Sequence, residues 1–128
     1  MAPSEPLLTG KRCLVLDDEF LIALDIQQIL EAAGAAVVCV SEAADALVAI
    51  RSGPRFDLAV LDVVLGGATR PTLTVAAALT TQRTPIVFLT GMLGEDVHTR
   101  EFPNAPVVQK PYQPPAFWEA VRRSLSLR

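Results

Sequence analysis

Residues 56–67 read FDLAVLDVVLGG, and this stretch decides the fold of the chain. Its apolar run ends in a single carboxylate, Asp62, and a glycine pair follows shortly afterwards. An apolar run between turn signals is typical of a strand buried on both faces, as the central strands of parallel sheets are. Because open parallel sheets carry their chemistry at the carboxyl ends of the strands, we expect Asp62 to stand at a functional edge.

Strand and helix patterns alternate along the rest of the chain. Short apolar runs predict five strands, at 13–16, 36–40, 57–61, 86–89 and 107–109. Apolar residues at helical spacing predict the connecting helices, at 20–33, 42–51, 73–79 and 95–100, with a last helix that begins at Pro114. Ser41 is the expected N-cap of the second helix, and Gly34 is expected to end the first. The alternation predicts an α/β protein with a single doubly wound, five-stranded parallel sheet.

Length and composition fit one compact domain. The chain has 128 residues, of which 51% are hydrophobic and 5% aromatic, so a core can form without disulfides. Residues 1–10 are predicted to be a loose lead-in, and residues 11–128 to be the domain. Cys13 and Cys39 lie in predicted strands, and we expect them to be buried, reduced thiols.

Charge and hydropathy exclude two classes of partner. A net charge of -3 without a basic patch argues against direct binding of nucleic acid. No run approaches the ~18 continuous apolar residues that a membrane span needs, and the first residues lack the pattern of a signal peptide. We therefore expect a cytoplasmic protein that binds neither nucleic acid nor membrane.

Polar side chains stand just past the ends of four predicted strands. Asp17 and Asp18 follow the first strand, Asp62 the third, Thr90 the fourth and Lys110 the fifth. The carboxyl ends of parallel strands share one edge of the sheet, so these side chains are predicted to meet in one shallow pocket.

The chemistry of this set points to a cation and a phosphate. Carboxylates without histidine or cysteine suit Mg²⁺ rather than zinc, and Mg²⁺ leaves coordination positions open for phosphate oxygens. Because carboxylates can form aspartyl phosphates, Asp62 is the candidate nucleophile. Lys110 would neutralise phosphoryl oxygens, and Thr90 would hydrogen-bond one of them.

The order and strand context of these residues resemble the receiver domains of bacterial response regulators, the CheY-like family, over residues 11–127. The matching positions are the acid pair Asp17-Asp18, the phosphoacceptor Asp62, Thr90 and the Lys110-Pro111 pair. The resemblance implies a flavodoxin-like (βα)5 fold with strand order 2-1-3-4-5. It also implies a cis peptide bond in the Lys110-Pro111 pair.

The resemblance implies a phosphotransfer reaction as well. A histidine kinase or a histidine phosphotransfer domain would phosphorylate Asp62 in the presence of Mg²⁺, and a downstream protein partner would bind the result. Mg²⁺ would be held by Asp18, Asp62 and the backbone carbonyl of Val64, with Asp17 acting through water. Thr90 would move toward the phosphate and shift the last two strand–helix units. The protein would catalyse only its own phosphorylation and dephosphorylation and would not be an enzyme that acts on other substrates. Whether phosphorylation also produces a homodimer stays an open question.

Some positions depart from the common receiver pattern. Val107 stands where many receivers carry an aromatic residue, three positions before the lysine. Residues 88–91 (FLTG) and 109–112 (QKPY) resemble the FATGUY subgroup of receivers, which implies HWE-type kinases and stress signalling. Val64 and Met92 are apolar, and receivers use these two positions to flank the path of the hydrolytic water. We therefore expect slow self-dephosphorylation.

Several side chains carry two interpretations. Phe20, Leu21 and Leu24 of the first helix either dock a helical phosphotransfer domain or pack against the last helix. Trp118 either packs in the core or contacts a partner, and His98 is expected to be a solvated surface residue.

Two other functions stay open at this point. A phosphohydrolase with an aspartyl nucleophile would need a second acid two residues past Asp62, where this chain has Val64. A pseudo-receiver scaffold that is never phosphorylated would not need the five side chains. Because the sequence begins with Met1, we expect a stand-alone receiver rather than one excised from a hybrid kinase or a larger regulator.

Overall fold

The computed structural model describes residues 7–91 and 101–126. The strands are β1 (Arg12–Leu16), β2 (Ala36–Val40), β3 (Leu58–Asp62), β4 (Ile86–Thr90) and β5 (Val107–Gln109). The helices of the described residues are α1 (Phe20–Ala32), α2 (Ala43–Ser52), α3 (Arg70–Thr81) and α4 (Pro114–Ser126). None of these helices is both long enough and apolar enough to span a membrane.

The strands form the predicted parallel sheet. All four pairings are parallel, and the strand order is β2-β1-β3-β4-β5. The α/β fold class and the order 2-1-3-4-5 are therefore confirmed. The helix predicted at 95–100, together with Met92 and His98, lies outside the described residues.

Apolar clusters cover both faces of the sheet, and β3 and β4 are therefore buried along their whole length. Alternate residues of a strand point to opposite faces. Val60 and Val87 pack with Ile26 of α1 and Phe117 of α4 on one face. The other face holds a second cluster, which is formed by Leu61, Phe88, Ile50 of α2 and Val75 of α3. Trp118 is 2% exposed and belongs to the first cluster, so the structure favours its packing interpretation.

The glycine predicted to end the first helix does so. Gly34 has a φ of +100°, and its N–H donates to the carbonyl of Glu31 at 3.0 Å. The next N–H, of Ala35, donates to the carbonyl of Leu30 at 3.1 Å, which completes a Schellman motif. A Cβ at Gly34 would lie 2.8 Å from Oγ1 of Thr9. The helix end thus requires glycine for its backbone conformation and for its close approach to the residues before β1.

The cap predicted for the second helix is wrong. Glu42, not Ser41, is the residue before α2, and it makes no side-chain capping hydrogen bond. Strand β2 stays paired with β1 as far as Val40, so the chain needs both of the following residues to turn before the helix begins. The third helix also begins earlier than predicted, at Arg70, with Pro71 in its first turn.

The two cysteines differ in exposure. Cys13 is buried as predicted, whereas Cys39 is exposed, and neither forms a disulfide. The prediction of burial fails for Cys39 because β2 is an edge strand, covered less completely than the central strands.

We expect a thiol-specific reagent to modify Cys39 in the native protein and to spare Cys13 until the chain unfolds. Burial, followed by the charge of Asp57, raises the pKa of Cys13 to about 12, so its thiolate is scarce and inaccessible. Mass spectrometry over a time course of labelling measures both sites. The Cys39→Ser variant should show no fast labelling, and rapid modification of Cys13 in native protein would contradict this prediction.

Candidate functional site

The predicted residues lie at the carboxyl edge of the sheet. Asp17 follows β1 directly, Asp62 and Thr90 are the last residues of β3 and β4, and Lys110 follows β5. Parallel pairing of Leu16 with Leu61 in neighbouring strands brings the two aspartates side by side. The Lys110 N–H donates to the Thr90 carbonyl at 2.7 Å and so continues the β4–β5 ladder. The sheet itself therefore assembles the site.

The ammonium group of Lys110 lies among three carboxylates. Its Nζ is 3.0 Å from Oδ2 of Asp17, 3.4 Å from Oδ2 of Asp62 and 2.7 Å from Oε1 of Glu19. Burial opposes its charge, but hydrogen bonding of the ammonium group to the carboxylates of Glu19 and Asp17 raises the pKa of Lys110 above its usual value. The lysine thus stays protonated and carries a fixed positive charge beside Asp62.

A group of carboxylates could hold a cation at the same edge. Asp17, Asp18 and Asp62 each offer an oxygen atom, and these atoms all lie within 4.8 Å of one another. Asp17 and Asp62 are buried, whereas Asp18 is exposed. An oxygen-only donor set with one open side fits Mg²⁺.

The electrostatics of Asp62 favour such a cation. Burial first, and the neighbouring charge of Asp17 second, raise the pKa of Asp62 to about 7, although Lys110 acts in the opposite direction. The single ammonium group therefore does not balance the two buried carboxylates. A divalent cation would supply the missing positive charge.

Backbone hydrogen bonds hold the acids in place. The Glu19 N–H donates to Oδ1 of Asp17 at 2.9 Å, and the Gly66 N–H donates to Oδ2 of Asp18 at 2.9 Å. The hydroxyl of Thr72 donates to the Asp62 carbonyl at 2.6 Å and fixes the end of β3. The glycine pair predicted as a turn has positive φ at both residues, Gly66 at 59° and Gly67 at 84°.

A cleft of about 280 Å³ opens above the acids. It is lined by Asp18, Glu19, Asp62, Val64, Gly67, Gly91 and Lys110. Val64, whose carbonyl is a predicted Mg²⁺ ligand, thus borders the cleft. Thr90 is buried at the end of β4, and the Lys110-Pro111 bond is cis as predicted.

Sequence reasoning missed one residue of the site. Glu19 is the third of three successive acids, and the pattern alone did not separate it from ordinary acids at a helix start. The run of acids was its only signal.

The first helix exposes apolar side chains beside the cleft. Phe20 is 74% exposed and Leu21 is 76% exposed, while Leu24 is 36% exposed. The interpretation that these residues pack against the last helix is therefore wrong for Phe20 and Leu21, which point to solvent. Together, Phe20, Leu21 and Leu24 are called the α1 patch below.

Comparison with known proteins gives matches among solved structures. No protein-family model and no curated protein matches the chain. The solution structure of SdrG from Pseudomonas melonis, in its BeF3-activated conformation, is 34% identical, with a TM-score of 0.74 over 91% of this chain and 98% of that chain.

Two further structures show the same similarity. A response regulator receiver protein from Sinorhizobium medicae is 26% identical, with a TM-score of 0.79 over 91% of this chain and 94% of that chain. The response regulator TrrA from Thermotoga maritima, in complex with Mg²⁺-BeF, is 26% identical, with a TM-score of 0.73 over 90% and 99% of the two chains.

Proposed function

Because this chain belongs to the receiver domains of response regulators, we propose that Asp62 accepts a phosphoryl group from the phosphohistidine of a histidine kinase or a histidine phosphotransfer domain. The observation that carries the proposal is the position of Asp62, buried at a strand end between Lys110 and the acids that can hold Mg²⁺. The complex of TrrA with Mg²⁺-BeF supports the same chemistry in a protein of the same family.

In this reaction a carboxylate oxygen of Asp62 attacks the phosphorus atom, the phosphorus–nitrogen bond to histidine breaks, and an aspartyl phosphate forms. Lys110, whose Nζ lies 3.4 Å from Oδ2 of Asp62, would neutralise phosphoryl oxygens. Thr90, at the end of the adjacent strand, would donate its hydroxyl to one of these oxygens. Asp18, Asp62 and the Val64 carbonyl would hold Mg²⁺, with Asp17 acting through water, and the cation would neutralise the transferred group.

Two alternatives are weaker. A phosphohydrolase would need an acid at the position of Val64 to assist turnover, and valine has no group that can transfer a proton. A scaffold that is never phosphorylated gives no reason for a lysine buried among acids at the strand ends. We therefore propose that the protein catalyses only its own phosphorylation and dephosphorylation.

Phosphate labelling tests the proposed function. Incubation with Mg²⁺ and acetyl phosphate should add one phosphoryl group, detected as a mass increase, to the wild-type protein and none to Asp62→Asn. The Asp45→Asn variant, which changes an exposed acid on α2, should be labelled like wild type. Absence of labelling in wild type, from acetyl phosphate and from a phosphorylated kinase alike, would favour the scaffold.

The α1 patch suits a helical phosphodonor domain. Glu19 lines the cleft, and Phe20 and Leu21 follow it directly, so a helix packed on the patch would bring its phosphohistidine close to Asp62. We further propose that the donor is an HWE-type kinase of a stress-signalling system, on the resemblance of residues 88–91 and 109–112 to the FATGUY subgroup. A downstream protein partner would then bind the phosphorylated form.

Replacing Leu21 with alanine should slow phosphotransfer from a phosphorylated histidine phosphotransfer domain by about fivefold, the loss expected for a contributing interface side chain. Its rate of labelling by acetyl phosphate should not change, because the small donor needs no docking surface. Stopped-flow or quench-flow transfer assays measure both rates. Val48→Ala, which truncates an exposed side chain on α2, is the matched control. An unchanged transfer rate for Leu21→Ala would contradict docking at this patch.

A further inference from the structure

The ammonium group of Lys110 is surrounded by carboxylates and donates a hydrogen bond to one of them, Glu19. A lysine ammonium carries three N–H groups, and three carboxylates lie within 3.4 Å of its Nζ. The shortest of these contacts, at 2.7 Å, is to Glu19. A phosphoryl oxygen that approaches Lys110 would therefore compete with these carboxylates, and first with the hydrogen-bonded Glu19.

The three carboxylates differ in how easily they can leave. The Asp17 side chain is 0% exposed, so its charge has no water to replace the lysine. Asp62 is the residue that carries the phosphoryl group, so it stays in place. The Glu19 side chain is 59% exposed and can be hydrated fully after it leaves. Glu19 is thus the partner whose release costs least.

We propose that Glu19 competes with the phosphoryl group for Lys110 and is displaced when Asp62 is phosphorylated. The inference rests on the proposed phosphorylation of Asp62. In the unphosphorylated protein, Glu19 stabilises the site by pairing with Lys110. In the phosphorylated protein, it loses this partner and is repelled by the negative phosphoryl oxygens. Glu19 therefore acts through Lys110, as a positioning residue that limits how stable the phosphorylated form becomes.

The direction in which removal of the Glu19 carboxylate changes the affinity for a phosphoryl mimic separates competition for Lys110 from a structural role of Glu19. Removing a competitor should tighten the binding of a phosphoryl mimic, whereas damage to the site should weaken it. Beryllofluoride is the appropriate probe because it requires no reaction and no donor protein. Its affinity at saturating Mg²⁺ reports the interaction with Lys110 separately from the binding of the metal.

Glu19→Gln should bind beryllofluoride about three- to tenfold more tightly than wild type, as measured by isothermal titration calorimetry at saturating Mg²⁺. Because glutamine can still accept a neutral hydrogen bond from Lys110, Glu19→Ala should show an effect at least as large. Glu42→Gln is the matched control, since Glu42 immediately precedes α2 as Glu19 precedes α1, and neither makes a side-chain capping bond. The control should bind like wild type.

Each other outcome overturns the inference. Weaker binding in both Glu19 variants would show that Glu19 assists the site, for instance by helping to hold Mg²⁺. Equal affinities in wild type and variants would show that Lys110 is equally available with and without Glu19. If wild type neither bound beryllofluoride nor was labelled by acetyl phosphate, the proposed function itself would fail and this inference with it.

Discussion

Asp62→Asn should stabilise the metal-free protein although it removes the phosphoacceptor. Asp62 is 4% exposed, and burial together with Asp17 raises its pKa to about 7, so the folded state disfavours the charged carboxylate. Asparagine has a similar shape and no charge, while Lys110 keeps Asp17 and Glu19 as partners. We expect the free energy of unfolding to rise by about 1–3 kcal/mol at pH 8 in the presence of a chelator.

The pH dependence of this gain has a definite sign. An acid whose pKa is raised by folding, here from 3.8 to about 7, destabilises the fold where it is ionised in the unfolded chain. This loss of stability is absent below pH 3.8, grows as the pH rises from 3.8 to about 7, and is complete at higher pH. The advantage of the variant should therefore be largest above pH 7 and vanish toward pH 4.

Urea unfolding at several pH values measures this gain. Mg²⁺ should stabilise wild type more than Asp62→Asn, because the variant lacks one of the metal ligands. Adding Mg²⁺ should therefore reduce the difference in unfolding free energy between the two proteins. Asp45→Asn, which neutralises an exposed acid in the first turn of α2, should show no such gain at any pH, because a charge there is favourable near the helix N-terminus. A variant less stable than wild type at pH 8 without metal would show that the Asp62 carboxylate is favourable in the fold.

The core of the site was predictable because it depends on topology. An apolar run followed by a polar residue marks each strand end, and parallel pairing places such ends on one edge. The sequence therefore predicts the neighbourhood of Asp17, Asp62, Thr90 and Lys110, and the structure brings them to one edge of the sheet.

The errors came from features that depend on tertiary surroundings. Cys39 has the same apolar neighbours in sequence as a buried strand residue, and only its place in an edge strand exposes it. Ser41 is a good capping residue, but the length of the turn after β2 placed Glu42 at the cap. The role of Glu19 depended on where Lys110 points, across 91 positions of the chain. Local pattern does not contain that information.

Lys110→Ala should cause the largest loss of stability of the changes considered. Its side chain is 9% exposed, and its removal leaves the fully buried carboxylate of Asp17 and the nearly buried carboxylate of Asp62 without their ammonium partner. Removing one member of a buried ion pair costs about 3–5 kcal/mol, and we expect a loss of about 3 kcal/mol in urea unfolding with a chelator present. Lys11→Ala, at an exposed lysine, should change stability by less than about 0.5 kcal/mol.

Adding Mg²⁺, or making a second substitution, should restore part of the stability that Lys110→Ala loses. We expect this because the loss comes from uncompensated charge and not from a lost packing contact. Mg²⁺ would supply positive charge to the same carboxylates and should stabilise the variant more than it stabilises wild type. The second change Asp17→Asn removes the most buried of these charges and should recover more than half of the ~3 kcal/mol. A double variant as unstable as Lys110→Ala alone would assign the loss to packing of the lysine stem, and the buried charges would then contribute little to the stability of this edge.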